Sequence, residues 1–475
     1  MRIWELSSGI VLIAYVIYAL SPYRNDYPWL AYLPFLCIPI FALHVQFEGP
    51  RWEMAPIYFT FVACLYQEMA PQRTMDIQTH YIVASIGLCC IGAGILLSTS
   101  LPVFQLPAPR GPYAVGTSIR HLVDRSRVEL AQPDFPRELM VQIWYPADET
   151  PKGRRAAYQD RATTTFWNAR FSLVRTHSVV DAAVAGSNGR YPVILYVPSW
   201  NGMRTENTHL AEELASQGYV VVGIDHPYSS FSTVFPDGRV IISRLLDEEF
   251  FRTDASFNRF LKTAETEVRN RAEDARFVLS ALERLDAADQ TVPIADRLDL
   301  DHVGIFGFSL GGGVAAQTCW LDRRFKACLN MDGLMAGESL KSGAIAPLFF
   351  MSEVDPRPPP YPTDISPAKR REKELYWEQF AQARELFSTF GGYWLTIDRA
   401  KHFNFSDYAF SSPLRLFSRS GSIDPERAAR TIGQHTLAFF EFYLKGNPRP
   451  LADEPDSNGT DVRLERARSH VEAKP

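Results

Sequence analysis

The chain has 475 residues, more than one ordinary domain needs, and a net charge of -5, which leaves no footprint for a nucleic-acid partner. Its six cysteines show neither a disulfide framework nor a zinc-ligand spacing. Cys37, Cys64, Cys89 and Cys90 fall in apolar N-terminal runs and Cys319 and Cys328 in a predicted core, so all six read as buried free thiols.

A mean hydropathy of -0.13 averages over an N-terminal region far more apolar than the rest. Residues 1–105 hold four apolar runs. Residues 81–104 are uncharged over a bilayer-length stretch. Residues 29–45 are also uncharged, with Pro34 and Pro39 expected to kink the helix. Residues 7–20 and 54–66 are shorter and bounded by Glu5 and Glu68. Trp4, Tyr23, Tyr27, Trp29, Trp52 and Tyr81 crowd the borders, as interfacial belts require. The pattern predicts about four transmembrane helices and a multi-pass integral membrane protein. A signal peptide fits less well, since only Arg2 precedes the first run and no small-residue cleavage site follows it. Four spans place both ends on one side. Arg2, Arg51, Arg110 and Arg120 then stand against Arg24 and Arg73, which favours a cytoplasmic C-terminal domain. Free core cysteines agree with a reducing compartment.

A proline-stiffened linker, residues 105–112, leads into a second domain, residues 106–446. Residues 113–123 and 139–145 alternate as an antiparallel edge pair does. Residues 191–197 and 219–224 are continuous apolar runs, the signature of central parallel strands. Residues 206–217 read as a helix closed by Gly218, and 259–285 as a long amphipathic surface helix. Strands follow at 302–308, 326–331, 348–351 and 393–397, with a helix at 367–387 between the last two. Asp424-Pro425 caps a helix that runs to Leu444. Strands alternating with helices predict an α/β fold with a mostly parallel sheet. Residues 447–475 are polar, without apolar period, and read as a disordered tail.

The stretch from Val303 to Gly312 carries the chemistry: a buried strand, then Gly307-Phe-Ser309-Leu-Gly311, then a small-residue helix. Gly-x-Ser-x-Gly at a strand-to-helix turn is the nucleophile elbow of α/β hydrolases. A Cβ at Gly307 or Gly311 would strike the adjoining strand or helix. The helix start after the turn offers N–H groups to an oxyanion.

A serine hydroxyl needs a base, and the base needs an orienting acid. In this fold the order is Ser, acid, His. Of the histidines after Ser309, His435 lies in a helix and His470 in the tail, while His402 follows a strand in a loop. His402 is therefore the base. Asp332 and Asp355 both end strands on the reactive side, and position alone leaves the acid open between them. One oxyanion donor is the N–H of Leu310, and the other belongs to the loop after residues 191–197, where Trp200 fits. Asp225-His226-Pro227 ends another central strand and reads as structural or pocket-lining.

Several segments together resemble the platelet-activating factor acetylhydrolase family, in its plasma-type and intracellular type II branch. They are Pro109-Arg-Gly-Pro-Tyr-Ala-Val-Gly-Thr117, Gln142-Ile-Trp-Tyr-Pro146, Trp200-Asn-Gly-Met-Arg-Thr205, Leu214-Ala-Ser-Gln-Gly-Tyr219, Arg271-Ala-Glu-Asp274, the elbow, Met331-Asp332, Pro347-Leu-Phe-Phe350 with Ser352-Glu353, and His402-Phe-Asn-Phe-Ser-Asp407. The resemblance covers roughly residues 107–445. It implies that the acid comes from the strand directly after the elbow helix, which selects Asp332 and leaves Asp355 as the alternative. It maps the oxyanion donors onto Trp200 and Leu310. The chain departs from the family in having Val197-Pro-Ser199 before the oxyanion residue, Phe308 in the elbow where the family has His, and the apolar N-terminus.

These readings predict a membrane-anchored serine esterase that needs no metal or organic cofactor. The resemblance implies a phospholipid substrate with a short or oxidised acyl chain. A general carboxylesterase or polyester-type hydrolase is the alternative, and a lipid-binding membrane protein without turnover is the rival of another class. The spans carry few ionisable groups, with His44 and Glu68 near ends, which argues against a carrier or sensor.

Overall fold

The computed structural model describes residues 1–23, 25–69, 77–148, 151–186, 189–245, 253–285, 294–342, 346–353, 365–448 and 462–468. The chain divides into two compact units. One is Met1–Phe104 with Thr164–Val174 and Ser411–Ser418, and the other is the remainder. The two later segments of the helical unit were not legible as part of it, because nothing in their composition distinguishes them from surface loops.

The long helices of the helical unit, among the described residues, are α1 (Ile3–Leu20), α2 (Leu33–Leu43), α3 (Ala55–Met69) and α4 (Ile77–Ser100). Each packs on the next, and α4 packs on α1. The helix α2 runs through Pro39 and ends in a π turn, His44–Glu48. Buried arginine sets the direction of the helices. The Arg51 guanidinium donates to both Glu5 carboxylate oxygens at 2.8 and 2.9 Å, and to the carbonyls of Ser98 at 3.2 Å and Leu101 at 2.6 Å. The start of α1, the chain entering α3 and the end of α4 therefore meet at one end. Tyr15 donates to Glu68 at 2.5 Å, which joins the later halves of α1 and α3. Leu12, Tyr15, Cys37, Met54 and Ile57 fill the centre, while Ile10, Ile17, Leu36, Phe59, Val62 and Leu96 face outward and are exposed. Among the described residues three stretches are long and apolar enough to cross a membrane: Ile3–Leu20, Pro28–Glu48 and Tyr81–Ser100. With 15 residues, α3 rises only about 22 Å and falls short of that criterion.

The second unit is built on an 11-stranded sheet. Its strands are β1 (Ala114–Glu129), β2 (Gln132–Ala147), β3 (Arg155–Ala157), β4 (Arg175–Val180), β5 (Tyr191–Val197), β6 (Val220–Asp225), β9 (Leu298–Phe308), β10 (Phe325–Met331), β11 (Leu348–Ser352), β12 (Gly392–Ile397) and β13 (Val462–Ala467); β7 (Ser232–Val234) and β8 (Val240–Ile242) form a separate ribbon. The spatial order is β13-β12-β11-β10-β9-β5-β6-β2-β1-β4-β3. The six strands from β12 to β6 run parallel. The pair β1 and β2 is antiparallel as expected, but β4 and β3 lie outside it, so it is not at the edge.

Alternation along the central strands feeds two cores, because successive side chains leave a strand on opposite faces. Val193, Leu195 and Val197 of β5 join Val303 and Ile305 under α6 (Asp254–Glu283) and α7 (Leu310–Leu321). Ile194 and Tyr196 join Phe306 and Phe308 under α5 (Thr208–Ser216) and α9 (Pro425–Leu444). The helix α8 (Pro367–Phe390) packs on β12 and β13 through Ala383, Leu386 and Phe387, which belong to the first core. Gly218 closes α5 at φ +88°, and the Asp424 side chain caps α9 by accepting from Arg427 N–H at 2.9 Å.

Two further expectations fail in this unit. Residues 447–475 are not wholly irregular, since Val462–Ala467 pairs antiparallel with β12. That strand alternates apolar and charged residues: Val462 and Leu464 pack against the core, and its backbone completes an open sheet edge. Cys319 of α7 and Cys328 of β10 are not free thiols but a disulfide. The bridge depends on the chain turning back from α7 into β10, which spacing alone does not announce, and it withdraws these two residues from the case for a reducing compartment.

Candidate active site

The elbow sits where β9 gives way to α7. Ser309 holds φ 56°, ψ -123°, a left-handed conformation that a non-glycine residue adopts at a cost of order 1–3 kcal/mol. The glycines on either side explain why the turn is possible. A Cβ on Gly307 would lie 1.9 Å from the Gly311 carbonyl oxygen, and one on Gly311 would lie 2.1 Å from that of Val197. The start of α7 therefore backs directly onto the end of β5.

Adjacent strand ends bring the other groups in. Ser309 N–H donates to Met331 O at 2.9 Å, and Asp332 N–H donates to Met351 O at 2.7 Å. Each step ties one residue to a carbonyl near the end of the neighbouring strand. His402 arrives from the short 3-10 turn His402–Phe405 after β12. Its Nε2 is 3.0 Å from Ser309 Oγ, and its Nδ1 is 2.6 Å from Asp332 Oδ2. The expected serine, histidine and aspartate thus lie in one hydrogen-bonded line. Asp332 is itself strained, at φ 51°. Asp355 lies outside the described residues.

Glu353, to which the sequence alone assigns no role, joins this line. Its N–H donates to Asp332 Oδ1 at 3.1 Å, and its carboxylate accepts the His402 N–H at 2.9 Å. Glu353 therefore ties the acid to the loop that carries the base. Phe308, the departure from the resembled elbow, is fully buried with its ring 4.7 Å from the His402 ring. It supports the imidazole from below.

The electrostatics of His402 are a contest. Burial alone would lower its pKa, but the hydrogen bond and charge of Asp332, with Glu353 and Glu206 behind, outweigh it and raise it above the ordinary value. That is the direction an acid–base histidine beside a carboxylate takes.

Trp200 lies on the loop after β5, in the turn Ser199–Gly202 closed by Gly202 N–H to Ser199 O at 2.9 Å. Leu310 is the first residue of α7 and is buried. Glu206, which sequence reasoning also missed, reaches back under that turn. It accepts from Ser199 N–H at 2.9 Å, Ser199 O–H at 2.7 Å and Tyr196 O–H at 3.3 Å. Burial pushes its pKa up to about 7, against the lowering effect of the Ser199 and Tyr196 hydrogen bonds and of nearby His402. His226 is wholly buried, bonded to Asp274 at 2.8 Å, with burial driving its pKa down to about 4.

Among the described residues one group has metal-ligand proximity: Glu5, His44 and Glu48 in the helical unit. Its donors are already engaged. Arg2 and Arg51 hold Glu5, while His44 bonds Glu48 at 3.0 Å and Tyr58 at 2.6 Å. The group is a closed ion-pair network.

Comparison with known proteins gives the family. The family model described as platelet-activating factor acetylhydrolase, isoform II, matches residues 99–453. The platelet-activating factor acetylhydrolase of Cavia porcellus is 25% identical over 395 residues, covering 78% of this chain and 85% of that protein. A probable 1-alkyl-2-acetylglycerophosphocholine esterase of Arthroderma benhamiae is 24% identical over 409 residues, covering 79% and 97%. The solved structure of a ferulic acid esterase from Streptomyces cinnamoneus superposes with a TM-score of 0.58 at 29% identity, covering 76% of this chain and 99% of that one. The chain belongs to the platelet-activating factor acetylhydrolase family, isoform II, and is a carboxylic ester hydrolase.

Proposed function

We propose that the chain is a membrane-anchored serine esterase that removes short or oxidised acyl groups from phospholipids. The observation that carries this reading is the line from Ser309 through His402 to Asp332, at 3.0 and 2.6 Å. Ser309 Oγ attacks the ester carbonyl as His402 Nε2 takes its proton. Asp332 holds Nδ1–H and stabilises the imidazolium. The N–H groups of Trp200 and Leu310 receive the developing oxyanion. His402 then returns the proton to the departing alcohol oxygen, leaving an acyl-serine. A water, deprotonated by His402, attacks that ester and releases the carboxylic acid and the free serine.

The names of the relatives support the lipid substrate: one is a platelet-activating factor acetylhydrolase and another a probable 1-alkyl-2-acetylglycerophosphocholine esterase. The outward-facing Ile10, Ile17, Leu36, Phe59, Val62 and Leu96 support a bilayer around the helical unit, since a water-facing helix would carry polar residues there. The ion pair between Glu5 and Arg51 supports four crossings despite the short α3. If α1, α2 and α4 each cross, α3 is the only passage from the end shared by Arg51 and Glu5 to the start of α4. Both chain ends then share a side, and the arginine asymmetry favours the cytoplasm. A broader carboxylesterase or polyester-type activity is the second reading, favoured by the likeness to the ferulic acid esterase.

The test is hydrolysis by the full chain in detergent of phospholipids carrying acetyl, butanoyl or palmitoyl at the second position, beside 4-nitrophenyl acetate and methyl ferulate. The lipid reading expects kcat/KM for the acetyl lipid to exceed that for the palmitoyl lipid at least about 100-fold, a discrimination of ~2.7 kcal/mol. Turnover of the nitrophenyl and feruloyl esters without any phospholipid moves the protein to the second reading. Lipid binding without turnover of any ester makes it a binding module.

A further inference from the structure

Arg271-Ala-Glu-Asp274 stood out in the sequence, and the mechanism above gives it no part. Arg271 lies on α6 and is fully buried. Its Nη1 donates to the carbonyl of Ser199 at 2.9 Å and of Pro198 at 3.2 Å, and its Nη2 to that of Ser229 at 3.2 Å. Glu267, one turn earlier, holds its Nε at 3.1 Å. Ser199 is thereby gripped twice. A guanidinium takes its carbonyl, and the Glu206 carboxylate takes its N–H and hydroxyl from the other side.

The peptide that joins Ser199 to Trp200 is the one whose N–H serves as oxyanion donor. In a trans peptide the C=O and N–H point in opposite directions, so fixing one fixes the other. A cation on the carbonyl also polarises the amide and strengthens its N–H as a donor. The surrounding geometry is shaped for this grip. A Cβ on Gly202 would lie 2.3 Å from Glu206 Oε2 and 2.6 Å from Ser199 N, so the turn must carry glycine for Glu206 to reach. Asn201 takes the left-handed conformation, at φ 56°, that brings the turn around.

Resting on the assignment of Trp200 as a donor, we propose that Arg271 and Glu206 are positioning residues of the oxyanion hole, clamping the Ser199 peptides so that the Trp200 N–H is oriented and polarised before substrate arrives. The two are not a salt bridge of the ordinary kind. They face one residue of backbone from two directions and act on each other through it. The three donors to Glu206 are all neutral, and without a guanidinium or ammonium bonded to it among the described residues, burial pushes its pKa up to about 7. A side chain kept in so unfavourable a state is characteristic of sites where function outweighs stability.

The experiment compares the full chain with Glu206→Gln, Arg271→Lys and Arg271→Met on 4-nitrophenyl acetate. It also measures inhibition by a trifluoromethyl ketone, which forms a tetrahedral oxyanion adduct with the serine, and melting temperature. Losing one oxyanion donor outright costs roughly 100- to 1,000-fold in kcat, so misplacing it should cost about 10- to 100-fold. The expected result is that loss in kcat for Glu206→Gln, with KM within about twofold. Trifluoromethyl ketone affinity should fall by the same factor, while the melting temperature is unchanged or higher. Arg271→Met should lose more than Arg271→Lys, which keeps a cation. A structural role would lower the melting temperature and leave ketone affinity in step with the fraction folded. If the Arg271 variants do not fold, Glu206→Gln decides alone. Wild-type kcat and ketone affinity in a folded Glu206→Gln overturn the proposal while leaving the esterase reading intact. A wild-type enzyme that the ketone does not inhibit and that cleaves no ester overturns both.

Discussion

The two units of the chain handle charge in opposite ways. In the helical unit, apolar side chains point outward as well as inward, and the buried charges gather at one end where they neutralise one another, as Glu5 with Arg51 and Arg2 do. In the sheet unit the apolar residues are inside, and the buried charges collect around strand ends. There burial pushes the pKa of Glu206 up to about 7, while Asp332 raises that of His402 against the effect of burial. Closed networks fix a structure, and open ones hold groups ready to exchange a proton. By that criterion the proposed chemistry belongs to the sheet unit.

The largest expected effect sharpens this contrast. Ser309→Ala should reduce kcat about 10⁵- to 10⁶-fold without lowering the melting temperature, since it also removes the hydroxyl from a strained turn. Asp332→Asn should cost about 10⁴-fold, because the amide no longer holds the imidazole in the required tautomer. Both are read by steady-state hydrolysis of 4-nitrophenyl acetate. In the helical unit Arg51→Met should do the reverse. It leaves Glu5 buried without its main partner, for a loss of about 3–5 kcal/mol in stability, while kcat of the surviving folded protein stays within twofold. A large loss of kcat there, at unchanged stability, would break the comparison and make the helical unit part of the enzyme.

The pH profile is a finer test. His402 must be neutral to act as base, and its pKa is raised, so kcat/KM should fall as pH drops through a value above the ordinary imidazole value of about 6.5. Removing the Asp332 charge takes away the main raising influence and leaves burial, which lowers. The residual activity of Asp332→Asn should therefore have its acid limb at lower pH. The linked stability runs the other way. A raised histidine pKa favours the folded state most below about pH 6.5, and that contribution is lost as pH rises through the folded value. The smallest effect is expected at β13. Glu465→Ala breaks the partly exposed bond from Arg384 at 2.9 Å and should cost less than about 1 kcal/mol in thermal unfolding, with activity unchanged.

Much of this was legible because its signals are local. The elbow needs glycine at Gly307 and Gly311 for reasons of contact that sequence displays directly, and the central strands β5 and β9 are apolar along their length because both faces are covered. The order of serine, acid and histidine along the chain left few candidates for the base. What was not legible depends on return paths. The disulfide between Cys319 and Cys328 exists because α7 hands the chain to β10 at the right depth. Glu353 and Glu206 touch the site only because neighbouring strand ends and a tight turn bring them there. Residues 164–174 and 411–418 join the helical unit through tertiary contact alone. The strand Val462–Ala467 was missed because its apolar alternation, Val462 and Leu464, is only two residues long within a polar stretch.

The most direct measurement is covalent labelling of the detergent-solubilised full chain with a fluorophosphonate, with the labelled peptide located by mass spectrometry. Wild type should label on the peptide holding Ser309, Asp332→Asn should label at least about 100-fold more slowly, and Ser309→Ala should not label at all. A folded wild type that does not react, or label that persists at another residue in Ser309→Ala, would contradict the assignment of Ser309 as the nucleophile.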